Sequence, residues 1–199
     1  MRAMRHRAIA YSQHGVTLLE VLITIVILAF GLLGLAGLQA RMQVAEIEAY
    51  QRAQAIVLLQ EMVDRVNANG KNIDYKDIDV TVGTGATQPA ITACAAQSTT
   101  KARDLCEWHH ALLGASEKKG TTNLGAMIDA LGCIENTVPD MPREFLVSVV
   151  WQGLAPTASP PAAITCGSGS YDPDTTRRAV VARIKIGCLQ DTGGVCATQ

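Results

Sequence analysis

From Val21 to Leu38 the chain runs eighteen residues without a charge, VLITIVILAFGLLGLAGL. At 1.5 Å per residue that run spans about 27 Å, close to the roughly 30 Å hydrocarbon thickness of a bilayer. A helix in a soluble core is apolar along one stripe, whereas this run is apolar on every face, so it predicts a membrane-spanning helix. Ahead of it, MRAMRHRAIAYSQHG carries Arg2, Arg5 and Arg7 and no acid. Basic residues before a first apolar helix favour a cytoplasmic N-terminus and export of the chain beyond Leu38. A removable secretory signal fits less well. The run is longer than the usual apolar region of about 7–15 residues, and Leu38-Gln39-Ala40 is a mediocre small-x-small cleavage site.

The helical pattern continues past the run. AGLQARMQVAEIEAYQRAQAIVLLQEMVDRVNANG contains no proline and closes on Asn69-Gly70, a helix C-terminus signal. Positions 42, 49, 56 and 63 are Met, Ala, Ile and Val, and positions 45, 52, 59 and 66 are Ala, Arg, Leu and Val. This predicts an apolar stripe from Met42 to Val66 facing the rest of the protein, with Glu46, Glu48, Gln60, Glu61 and Asp64 turned elsewhere. One helix from about Val16 to Asn69 would be roughly 80 Å long.

Beyond it the period shortens to two. In EFLVSVVWQG, Phe145, Val147, Val149 and Trp151 share a face, opposite Leu146, Ser148 and Val150. In RAVVARIKIGCL, Val180, Ala182, Ile184, Ile186 and Cys188 alternate with Val181, Arg183, Lys185 and Gly187, one face apolar and one wet. DIDVTV at 77–82 alternates as well. Residues 99–114 read as a second helix with Ala102, Leu105, Cys106, His109, Leu112 and Leu113 on one face and Thr99 or Ser98 as its N-cap. GLAPTASPPAAITCGSGSYDPD reads as surface loop. The expected fold is α+β: a long N-terminal helix whose second half packs on a small antiparallel sheet. Trp108 and Trp151 are assigned to packing.

Charge and cysteines sharpen this picture. With Lys+Arg 17 against Asp+Glu 18 in 199 residues, a basic nucleic-acid binder is excluded. Cys94, Cys106, Cys133, Cys166, Cys188 and Cys196 all lie beyond residue 70, which in an exported segment reads as a disulfide framework that holds the loops. Six cysteines allow fifteen pairings. We expect Cys94–Cys106 and Cys188–Cys196 as short loops, leaving Cys133–Cys166. Cys106-x-x-His109-His110 lacks the further ligands of a zinc site, and no metal is expected. Asp77/Asp79 and Asp172/Asp174 lack the closing Glu of a calcium loop. There is no phosphate-binding glycine loop, no dinucleotide fingerprint and no GxSxG elbow. Neither a cofactor nor an enzymatic activity is expected.

Glu20 stands out at the edge of the apolar run, because a carboxylate inside a membrane helix costs about 2.5–3.5 kcal/mol at its centre and is a functional candidate by default. Gly15-Val16-Thr17-Leu18-Leu19-Glu20-Val21, behind its basic leader, resembles the processing site of type IV prepilins and type II secretion pseudopilins. Val16 stands where Phe or Met is usual. The resemblance implies a pilin-like fold and cleavage after Gly15 by prepilin peptidase. It also implies N-methylation of Val16, and pairing of Glu20 with the freed amine of a neighbouring subunit. The mature chain would have 184 residues and 14 basic against 18 acidic side chains.

LAFGLLGLAGLQ, EMVDRVNANG, DLCEW, LGCI, FLVSVVWQG and RIKIGCL resemble the minor pilins of this family in order along the chain. That implies partnership with other minor pilins, the major pilin, the inner-membrane assembly machinery and the lipid bilayer. It also implies a place first in the inner membrane, with the C-terminal domain periplasmic, and then in the pilus. The expected organisation is a leader at 1–15, a membrane or filament-core helix at 16–38, its amphipathic continuation at 39–70 and a globular domain at 71–199. A pseudopilin and a bitopic periplasmic binding protein are the alternatives.

Overall fold

The computed structural model describes residues 15–115, 118–120, 122–123, 127–138 and 143–187. Helix α1 (Leu18–Asn69) carries both the apolar run and its continuation. The chain divides into two compact units, one reaching Ala45 and one starting at Glu46. In the first, the apolar side chains lie open, Leu28 at 64% and Phe30 at 72% exposure, and the helix is long and apolar enough to cross a membrane.

In the second unit α1 buries Gln51, Ala55, Leu59, Met62 and Val66, steps of four and three that keep one face turned inward. This corrects the expected stripe. Leu59 and Val66 pack, but Met42 and Ile56 are 54% and 50% exposed. Sampling every seventh residue follows a 3.5-residue period, which drifts about 20° per heptad from a straight helix. Val63, on the same sampled line, is half-buried and packs against the edge of the core.

The core is closed by β1 (Val80–Gly83), β4 (Leu131–Val138), β5 (Arg143–Gln152) and β6 (Arg177–Ile186), antiparallel in the order β1-β4-β5-β6. A two-residue hairpin, β2 (Lys118–Lys119) and β3 (Thr122–Asn123), stands apart. Phe145, Val147, Val149 and Trp151 of β5 join Ile184 and Ile186 of β6 against Met62 and Val66 of α1. Residues 77–79 remain outside β1, because Val80↔Ile134 is its last pair and Asn136 gives its side-chain amide to the Lys76 carbonyl instead.

Two arginines hold the helix on the sheet. Buried Arg143 donates to the carbonyls of Gly70 and Asn72, at 2.7 and 2.9 Å. Helix α1 has no basic residue in its own last turn, so β5 supplies the cation its C-terminal carbonyls favour. At the other end, Glu48 accepts from Arg178 at 3.2 Å and from the Leu154 amide at 3.1 Å.

Helix α2 (Thr100–Leu112) is capped by Thr99, whose hydroxyl accepts the Ala102 amide at 3.1 Å. It is shorter than expected, and its buried face includes Asp104 and Trp108 while Ala102 and Leu113 are half-buried. Trp108 donates to the Leu58 carbonyl of α1 at 2.9 Å. A Cβ on Gly132 would lie 2.5 Å from the Trp108 ring and 2.7 Å from Leu112, so β4 needs glycine where α2 crosses it.

Disulfides join Cys94 to Cys106 across 12 residues and Cys133 to Cys166 across 33. In the chain-entropy picture closed loops of these sizes contribute about 3 and just under 4 kcal/mol. The second staples the loop before β6 onto the outer face of the sheet, where Cys133, Val150, Cys166 and Tyr171 form a small second core. Cys188 and Cys196 lie outside the described residues.

Candidate processing and assembly site

Gly15, Val16 and Thr17 precede the first helical residue, and Val16 is 69% exposed. Thr17 is the reason the helix starts where it does. Its hydroxyl accepts the Glu20 amide at 3.3 Å, and its carbonyl accepts the Glu20 and Val21 amides at 3.0 and 3.3 Å. Thr17 therefore caps the helix through the Glu20 amide, at the T-x-x-E spacing of a capping box. Glu20 is the acid of the first turn, where the positive end of the helix dipole favours a carboxylate. The resemblance assigns Glu20 a charge partner and leaves Thr17 without a role, although the T-x-x-E spacing is a legible cap.

This geometry leaves the Gly15–Val16 peptide bond in open, non-helical chain just outside the cap. Hydrolysis there removes no helical hydrogen bond and leaves a free amine one residue before Thr17. Gly15, Val16 and Thr17 lead directly into the helix, and Glu20 lies in its first turn.

The other clusters of reactive side chains are absorbed by the fold. Cys94, Cys106 and His110 lie close enough to share a metal ion. Their two sulfurs are bonded to each other, however, and the His110 ring meets the Pro89 carbonyl at 2.7 Å with Nε2, which must donate there. His109 is buried with Nδ1 accepting the Gly83 amide at 3.1 Å. Gly83 adopts φ +111°, a conformation that favours glycine, to aim that amide. Burial, and then the charge of His110, hold the His109 pKa below its ordinary value.

Buried Asp104 gathers Arg65 at 2.9 Å, Asn69 at 3.2 Å and the Tyr75 hydroxyl. Arg65 also reaches Glu107 at 2.6 Å and Glu61 at 2.7 Å. Burial opposes the Arg65 charge, but bonds to Glu107, Glu61 and Asp104 outweigh it and raise the pKa. Burial, followed by the Asp104 carboxylate, raises that of Tyr75. This network ties α1 to α2. Asp77 and Asp79 are exposed, and Asp174 forms an ion pair with Arg177 at 2.7 Å.

Residues 11–36 match the family model of the prokaryotic N-terminal methylation motif. The match covers the open segment, the cap and most of the apolar run, and it supports a type IV pilin- or pseudopilin-like protein, a structural rather than a catalytic class. The motif and the apolar helix together point to membrane anchoring. No curated protein and no solved structure shows significant similarity to this chain.

Proposed function

We propose that this protein is a minor type IV pilin of the PilV, pilus-modifying kind, a structural subunit that helps initiate pilus assembly and is carried in the tip complex. The observation that supports it is the methylation motif over residues 11–36, set where Gly15 and Val16 precede α1 and Glu20 lies in its first turn. Prepilin peptidase cuts after Gly15 on the cytoplasmic side, and the new amine of Val16 is methylated. Each isolated charge is costly in lipid, but an amine and a carboxylate paired within a helix bundle largely compensate one another. Glu20 then sets axial register, since one offset brings it to the neighbour's Val16. The subunit stands in the inner membrane with its disulfide-bearing domain in the periplasm. It then joins other minor pilins and the major pilin through the assembly machinery. A third disulfide, Cys188–Cys196, belongs to the same reading.

Intact mass of membrane-extracted protein tests it: loss of residues 1–15 is expected, and an uncut chain refutes the pilin reading in favour of a bitopic binding protein. Glu20→Ala is expected to keep membrane insertion and reduce incorporation into pili by about tenfold or more, the factor set by 1.4 kcal/mol. The same motif serves a pseudopilin of type II secretion. Neighbouring minor-pilin genes support the pilus, whereas secretin and secretion-ATPase genes would move the protein to that system.

A further inference from the structure

The four-stranded sheet has two edges, β1 and β6, and the exposed side chains at those edges carry opposite charge. β6 pairs with β5 over ten residues without a bulge, and it contains neither proline nor glycine. Proteins usually blunt an edge of that length, because its unpaired N–H and C=O groups are a template for another strand. Ile184 and Ile186 point into the core, so Val181, Arg183 and Lys185 lie on the other face, all three exposed. Arg183 makes no ion pair among the described residues. Lys185, its side chain 63% exposed, gives one bond to Glu144 at 2.9 Å and keeps its other donors free for a second carboxylate.

At the opposite edge Ile78 and Val82 enter the core, while Asp77, Asp79 and Thr81 are exposed. Neither aspartate forms an ion pair among the described residues. The Gly83 amide bonds to His109 rather than to β4. Two residues back, Thr81 therefore turns its own N–H to that same free side. Helix α2 occupies the Gly83 end, so the open stretch runs from Asp77, at the turn that leads in, to Thr81.

β1 runs antiparallel to β4, β4 to β5 and β5 to β6, so β1 and β6 run in opposite directions. The β1 edge of one copy laid along β6 of another therefore continues the antiparallel order. With Asp79 opposite Arg183, Ile78 falls opposite Ile184, Val80 opposite Ala182 and Thr81 opposite Val181, and Asp77 arrives beside Lys185. Residues directly opposite one another bring their Cβ atoms to about 4.5–5.5 Å, within reach of an ion pair. A slip of one residue would turn the carboxylates to the core face. Pairing β6 with a second β6 offers nothing comparable, since its only charges are Arg177, Arg178, Arg183 and Lys185, and none is acidic.

We propose that copies of this protein associate head to tail, the Asp77–Thr81 edge of one extending the sheet of the next along Val181–Lys185. The backbone ladder supplies the attraction and the two carboxylates choose the register. Such an interface joins two different surfaces, so each copy added to a row leaves one edge of either kind free.

The full chain in detergent micelles tests it by sedimentation, and the native chain is expected to associate reversibly. Arg183→Asp with Lys185→Asp, and separately Asp77→Lys with Asp79→Arg, are each expected to raise the dissociation constant about tenfold or more. An equimolar mixture of the two variants is expected to restore association, because an acidic β6 then meets a basic edge. A native chain that stays monomeric overturns the proposal. So does a mixture that restores nothing, or association that both reversals leave unchanged, which would run through the apolar helix. Where a reversal costs the native circular dichroism, disulfide trapping carries the test: Arg183→Cys mixed with Asp79→Cys is expected to give a covalent dimer on oxidation. Arg183→Cys that links to itself instead places β6 against β6 and overturns the proposal as well.

Discussion

Residues 18–45 and 46–69 form a single helix with opposite relations to their surroundings. The first stretch exposes Leu, Ile, Val and Phe all round, while the second buries Gln51, Ala55, Leu59, Met62 and Val66, with Leu58 and Val63 half-buried beside them. An α-helix satisfies its own backbone in either medium, so the side chains alone decide which solvent each part belongs to. The first part must find its apolar cover in lipid or in other helices. The second finds it in β5, β6 and α2.

The sharpest way to break this contrast is to remove one large side chain from each part. Trp108→Ala takes away a fully buried ring that fills the space above Gly132 and bonds the Leu58 carbonyl. It is expected to cost about 3–5 kcal/mol, read as a large fall in the thermal midpoint of the detergent-solubilised chain. Leu28→Ala, 64% exposed, is expected to leave that midpoint unchanged. An equal fall in both would mean that the two parts fold as one unit.

The second comparison sets two carboxylates on the same arginine against each other. The Asp104 side chain is 6% exposed and that of Glu107 39%, and both meet Arg65. Asp104→Ala leaves Tyr75 and Asn69 without their acceptor inside the protein and is expected to cost about 2–3 kcal/mol, Arg65 keeping its other partners. Glu107→Ala is expected to cost less than about 1 kcal/mol, as exposed pairs do. Denaturant midpoints at constant slope would measure both. Equal losses would show that Arg65, rather than burial of Asp104, governs the contact between α1 and α2.

Much of the architecture was legible because its signals are local. An uncharged run identifies α1, and alternation identifies β5 and β6. Strand β4 was not legible: on its inner face Gly132, Ile134 and Asn136 replace an apolar series, since Trp108 takes the space a side chain at 132 would fill. Asp104 reads as solvent-facing in sequence because Arg65 and Tyr75, which justify its burial, are 39 and 29 residues away. At the candidate site, Gly15, Val16 and Glu20 were legible within one short motif. Thr17 was legible too, but its role as a cap emerges only with the hydrogen bonds it makes.

The smallest expected effect separates the two parts by pH. The part of α1 up to Ala45 carries no histidine, whereas His109 is buried in the domain with Nδ1 as an acceptor. Burial and then His110 lower its pKa from the ordinary 6.5. Between that value and the lowered one, the unfolded chain binds the proton that the folded domain refuses. Stability from neutral His109 is therefore complete above pH 6.5 and declines as pH falls below it. Glu144 and Asp174, held below their ordinary values by Lys185 and Arg177, lose their contributions only at more acidic pH. The thermal midpoint of the domain should thus drop as pH falls below 6.5, and His109→Gln should flatten that drop. Helicity of the apolar stretch should stay level over the same range. An unchanged slope in His109→Gln would assign the acid sensitivity to a group other than buried His109.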